Sequence, residues 1–143
     1  MIIAETNRLI ISKLSLKDAP FFLKLVNTPH WIKYIGDRNL KTVKDAEDYL
    51  LNGTLKSYEE FGFGFYKLHH KEENKTIGTC GLIKREQLDE VDLGFAFLPE
   101  FEGKGFGYEA SLAVITLAQK CFHLKKLLAI TLPLEFSFAN WVP

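Results

Sequence analysis

At 143 residues the chain fits one domain spanning 1-143, with enough apolar material to build a core without disulfides or metals, and a second full domain within it is not expected. Hydrophobic residues make up 47% and charged residues 25%, the mix of an ordinary globular protein, so disorder is not indicated. Eighteen Lys and Arg balance eighteen Asp and Glu, so no overall field selects nucleic acid as a partner, and any anion site must be local.

The opening Met1-Ile2-Ile3-Ala4-Glu5-Thr6 lacks the basic and long apolar regions of a secretory signal. No later segment is apolar for the ~18 residues a membrane span needs, so a cytoplasmic location without membrane contact is expected. Arg8 to Leu14 is apolar and β-branched, as a strand requires. Ser15 followed by Lys17-Asp18 then opens a helix with Ala19, Phe22, Leu23 and Val26 on one side. Asn27-Thr28-Pro29 breaks that helix, and the short aromatic segment His30 to Ile35, ahead of Gly36-Asp37, is expected to cover something. Val43, Ala46, Tyr49, Leu50 and Leu55 predict a second helix over Thr42 to Glu60, with an interruption at Gly53.

Phe63 to His69 and Thr76 to Lys84 read as a hairpin through Lys71-Glu72-Glu73-Asn74, and Val91 to Leu98 adds a third strand. His69 and His70 point to opposite faces and cannot share one metal, so no metal site is expected. Cys80 and Cys121 are too few and too far apart for a disulfide framework and read as reduced core residues. The run through Leu112, Ala113, Ile115 and Ala118 to Cys121 predicts a mostly buried helix. Lys126 to Thr131 then reads as a strand stopped at Pro133. The fold class is α/β, a mixed, mostly antiparallel sheet flanked by helices, whose last step is a parallel crossover.

Between the third meander strand and the last helix stands Leu98-Pro99-Glu100-Phe101-Glu102-Gly103-Lys104-Gly105-Phe106-Gly107-Tyr108-Glu109-Ala110. Glycines at alternate positions let successive N–H groups point at one anion, and a helix starting just beyond favours the same negative charge. A Walker A loop does not fit: Lys104 precedes Gly105 rather than Ser or Thr, and the earlier glycine it needs falls on Leu98. Gly105-Phe106-Gly107-Tyr108-Glu109-Ala110 does match the G-x-G-x-x-A form of the dinucleotide fingerprint, with Glu135 beyond the next strand. Against that reading, Pro99 to Gly103 is a longer approach than the tight turn of that fold, and the residues that follow are too few for a second mononucleotide-binding half.

The segment Phe95 to Gly107 resembles the acetyl-CoA-binding motif of the GNAT acyltransferases, in which a strand is followed by proline, an aromatic position and Q/R-x-x-G-x-G/A opening a helix. Gly105 and Gly107 take the glycine positions, and Glu102 stands where Gln or Arg is usual. Glu5-Thr6-Asn7-Arg8-Leu9-Ile10-Ile11, Lys17-Asp18-Ala19, Thr76-Ile77-Gly78 and Asp92-Leu93-Gly94-Phe95 are similar to the branch that holds the ribosomal-protein N-terminal acetyltransferases. The resemblance runs in order along nearly the whole chain.

It implies an acetyl-CoA-dependent N-acetyltransferase that moves acetyl directly to an amine-bearing peptide or small molecule, with acetyl-CoA as co-substrate. The pyrophosphate would rest on Gly103, Lys104, Gly105, Phe106, Gly107 and Tyr108, and pantetheine would pair with the strand at Phe95, Ala96 and Phe97. Asp92, on the face shared by Gly94 and Ala96, is the first candidate general base and Glu90 the second, while Trp31, Tyr34 and Arg38 would line the acceptor site. Direct transfer needs no enzyme nucleophile. Relatives usually continue past the last strand with spaced Asn and Ser, a helix and two closing strands, whereas Glu135 and Phe138 stand at those positions here. A part truncated or divergent after about 133 is therefore expected, with an exposed sheet edge that a homodimer would cover. It also motivates one alternative, a catalytically inactive CoA-binding or interaction module; dinucleotide binding is the third reading.

Overall fold

A computed structural model describes residues 2–34, 37, 39–84, 91–121 and 127–129. Among these residues six strands lie in one sheet in chain order: β1 (Ile2–Glu5), β2 (Leu9–Lys13), β3 (Phe65–His70), β4 (Lys75–Lys84), β5 (Val91–Phe97) and β6 (Leu127–Ala129). The first five pair antiparallel and β6 runs parallel to β5, as a crossover through a helix requires. β1 had no counterpart among the expected strands: it is four residues long, and Ile2 stays 63% exposed, so no periodic apolar face marks it.

Among the described residues five α-helices join the strands: α1 (Ala19–Val26), α2 (Pro29–Tyr34), α3 (Val43–Asn52), α4 (Thr54–Phe61) and α5 (Phe106–Cys121). Thr42 caps α3, its hydroxyl accepting from the Asp45 N–H at 3.1 Å while the Asp45 carboxylate accepts from the Thr42 N–H at 3.1 Å. Gly53 divides α3 from α4 where the helical pattern was expected to break. The covering segment after Pro29 is itself a short helix, started by a proline whose missing N–H costs nothing there.

Register decides which side chains meet. Ile11 lies opposite Leu68, Tyr66 opposite Cys80, Cys80 opposite Phe95 and Leu82 opposite Leu93, so these share one face. That face meets α5: the Cys80 thiol is 4.0 Å from the Ser111 hydroxyl, and Ala110, Ser111, Val114 and Ala118 are buried. Each large side chain buried here contributes about 1.5–3 kcal/mol. The other face carries the small or polar residues Ser12, Lys67, Thr79, Gly81, Gly94, Ala96 and Asp92, together with Phe65 and Ile83. Lys67 Nζ reaches Asp18, just ahead of α1, at 3.1 Å. Above it Phe22 of α1 stacks on Tyr49 at 5.7 Å and meets Trp31 edge-on at 5.9 Å.

The hairpin from β3 to β4 tolerates little at Gly81, where an added Cβ would fall 2.2 Å from the Gly64 carbonyl oxygen and 2.6 Å from Phe65 Cα. Those atoms are backbone and cannot swing aside. Gly81→Ala should lower the unfolding free energy by about 2 kcal/mol or more in urea titrations; an unchanged midpoint would contradict this packing.

Candidate active site

β5 runs out at Phe97, where the Leu98 N–H still donates to the Ile77 carbonyl at 2.9 Å. Pro99–Phe101 then makes one 3₁₀ turn, closed by the Phe101 N–H to Leu98 O at 2.9 Å and the Glu102 N–H to Pro99 O at 3.2 Å. Gly103 and Gly105 follow at φ of 72° and 84°, left-handed geometry that other residues adopt only with strain. The first rung of α5 is the Glu109 N–H to Gly105 O at 3.1 Å, so the N–H groups of Phe106 and Gly107 precede the helical ladder at its positive end. A Cβ on Gly103 would meet nothing within 4 Å, which leaves the approach open. One on Gly107 would lie 2.8 Å from the Phe95 ring, so the helix start sits directly over β5.

This turn is held from the opposite end of the chain. Arg8 Nε donates to Glu109 Oε1 at 2.6 Å, and the Arg8 N–H and the Thr6 hydroxyl donate to Glu109 Oε2 at 2.9 and 2.5 Å. Arg8 Nη1 donates to the Lys104 carbonyl at 3.1 Å, and the guanidinium lies 4.1 Å from the centre of the Phe106 ring. Burial pushes the Glu109 carboxyl upward, but the hydrogen bonds from Thr6 and Arg8, with the guanidinium charge, outweigh it and hold the carboxyl below its ordinary value. Beneath the turn, Phe106 stands 6.2 Å from both Phe97 and Phe101 and meets the buried His70 ring edge-on at 5.2 Å. Lys104 is exposed at the surface with its Nζ 5.8 Å from the Phe101 ring centre, and Tyr108 is 44% exposed in the first turn of α5.

On β5 the side chains divide. Phe95 and Phe97 turn to the α5 side, and Asp92, Gly94 and Ala96 to the other, where the Phe65 ring comes within 3.8 Å of the Cβ position of Gly94. Asp92 is 1% exposed and lies opposite Leu128 in the parallel pairing, which covers Val91 to Leu93; Phe95 to Phe97 lie beyond it. Of the residues expected at the acceptor site, Trp31 is 5% exposed and packed in the core, its Nε1 without a hydrogen-bond partner among the described residues. Tyr34 ends α2, and Arg38 and Glu90 lie outside the described residues, as does everything after residue 129. Burial pushes the Cys80 thiol up to about 12, against a smaller opposing effect of Ser111, so it stays a protonated core group at neutral pH. Among the described residues no cluster of three or more His, Cys, Asp or Glu has metal-binding geometry, and no helix is long and apolar enough to cross a membrane.

The model of the acetyltransferase (GNAT) domain matches residues 8–135. The chain belongs to this family. Comparison with curated proteins gives no match. Among solved structures, an acetyltransferase from Agrobacterium tumefaciens superposes with a TM-score of 0.75 at 23% identity, covering 88% of this chain and 71% of that one. A ribosomal-protein-S5-alanine acetyltransferase from Vibrio fischeri gives 0.72 at 19% identity, over 88% and 72% of the two chains. A ribosomal L7/L12 α-N-protein acetyltransferase in complex with coenzyme A gives 0.75 at 13% identity, over 90% and 73%. These likenesses establish the fold: a GNAT sheet, mostly antiparallel, rather than the parallel doubly wound sheet that the dinucleotide fingerprint serves. As a GNAT member the chain is an acetyltransferase, of a family whose acetyl donor is acetyl-CoA.

The clamp on the GNAT turn has a defined pH signature. A carboxyl depressed in the folded state adds stability that is complete above its ordinary value of 4.5 and is lost as the pH falls through the folded value. Glu109→Gln should therefore cost about 1–3 kcal/mol at neutral pH, and its Tm should converge with that of the unaltered protein as the buffer is acidified below 4.5 and the carboxyl protonates in the folded state. A gap that is constant with pH would contradict the geometry.

Proposed function

We propose that the chain transfers acetyl from acetyl-CoA directly to an amine, either a protein N-terminal α-amino group or a small-molecule amine. The observation that carries this reading is the glycine turn, fixed by Arg8 and Glu109, that presents the start of α5 at the end of β5. Its donor set suits a pyrophosphate: left-handed glycines, open space at Gly103 and helix-terminal N–H groups at Phe106 and Gly107. Lys104 supplies a cation beside it. The backbone of Phe95 to Phe97, past the last described pair with β6, is where pantetheine amides would add as a strand, and an N–H there would meet the thioester oxygen as charge develops.

In the reaction the amine nitrogen attacks the acetyl carbon, the C–N bond forms, the C–S bond breaks, and the thiolate leaves. The amine must be neutral. An α-amino group with a pKa of about 7.7–8.0 meets that condition far more readily than a lysine at about 10.4. Asp92, buried on the face with Gly94 and Ala96, is the residue we assign to accept the proton directly or through water, with Glu90 second. The likeness to the two ribosomal-protein acetyltransferases supports the peptide N-terminus as the first acceptor to try. Fold alone does not select it.

Acetyl-CoA should raise the Tm and NAD should not. Thiol release with an N-terminal peptide should be sustained over many turnovers, which separates an enzyme from an inactive CoA-binding module. Asp92→Asn should lower kcat by about 10²-fold or more while leaving the acetyl-CoA shift in place; full activity in that variant would move the role to Glu90 or to water.

A further inference from the structure

Glu102 stands at the position where the GNAT motif usually has Gln or Arg, and its carboxylate is taken up by a residue from far back in the chain. Nδ1 of His30 contacts Glu102 Oε2. A carboxylate only accepts, so the imidazole N–H is the donor. The two residues sit at the ends of two different devices. Glu102 closes the 3₁₀ turn with its own N–H and directly precedes Gly103 in its left-handed conformation. His30 is the second residue of α2, and the next residue, Trp31, is locked into the core against Phe22. The two segments also line one groove: Thr28 and Pro29 share a cavity of about 730 Å³ with Pro99 and Glu100.

Resting on the reading of the turn as the acetyl-CoA site, we propose that Glu102 is a positioning residue that fastens α2, the segment assigned to the acceptor side, to the cofactor turn. Phosphate bound on the turn N–H groups fixes the backbone on both sides of Gly103. A fixed Glu102 then holds His30 at a smaller loss of side-chain freedom than a mobile one would, so occupancy at one site orders the other. The pair is half-exposed on the His30 side, where the side chain is 48% accessible, so the coupling is modest.

The test follows amide hydrogen exchange at residues 30–34 with and without saturating acetyl-CoA in the unaltered protein, Glu102→Ala, His30→Ala and the double variant, with acetyl-CoA affinity measured in each. Acetyl-CoA should slow exchange at α2 in the unaltered protein. Each single variant should weaken that slowing by about threefold or more, and the double variant no further, while affinity in His30→Ala stays within about tenfold. Slowing at α2 that survives both single changes overturns the proposal, as do additive effects, or a loss of affinity beyond tenfold in His30→Ala. Failure of the unaltered protein to bind acetyl-CoA overturns the reading of the turn and this inference together. Binding without any slowing at α2 overturns this inference alone.

Discussion

Backbone amides that are to bind an anion cannot also satisfy one another, and this constraint organises the molecule around residues 103–108. A turn of that kind has no internal ladder to hold its shape, and its glycines lower the cost of unfolding it. Arg8 replaces the missing ladder. One guanidinium bonds a helical carboxylate, bonds a loop carbonyl and covers an aromatic ring, three contacts that its planar fork can make and an ammonium cannot. The Arg8 bonds run to the Glu109 carboxylate and the Lys104 carbonyl, so they stiffen the turn through acceptors and use none of its N–H groups.

The sheet is built to the same end. Its α5 face is filled with Leu, Ile, Phe and Tyr and supports the helix whose start we propose as the anion site. Its other face has small residues at Gly81, Gly94, Ala96 and Thr79, beside the Phe65 ring, with the buried Asp92 at one end. β5 belongs to both arrangements, because alternation sends Phe95 and Phe97 under α5 while Gly94 and Ala96 floor the opposite side. A single strand thus carries the glycine turn at its end and the proposed base along its length.

Much of this was legible locally. The periods of β2 to β5, α1 and α5, the break at Gly53 and the glycine spacing are short-range signals, and the residues between Phe95 and Gly107 carry the family motif. Two kinds of feature were not. β1 and α2 are too short for a period, and each is stabilised by what it packs against. The contacts of Arg8 with Glu109 and of His30 with Glu102 join residues widely separated in sequence, and nothing in either neighbourhood shows the other. Trp31 looked like a site residue because an exposed aromatic and a core aromatic are written the same way; the Phe22 ring against it reveals the packing.

The central claim is that the turn from Gly103 to Tyr108 is the acetyl-CoA pyrophosphate site. Its most direct test is a titration of the isotopically labelled protein with coenzyme A, followed residue by residue through the backbone amide resonances. The account predicts saturable shifts that are largest at Gly103, Gly105, Phe106 and Gly107 and continue along Phe95 to Phe97. Saturable shifts centred elsewhere in the sheet, with these amides unmoved, would contradict it.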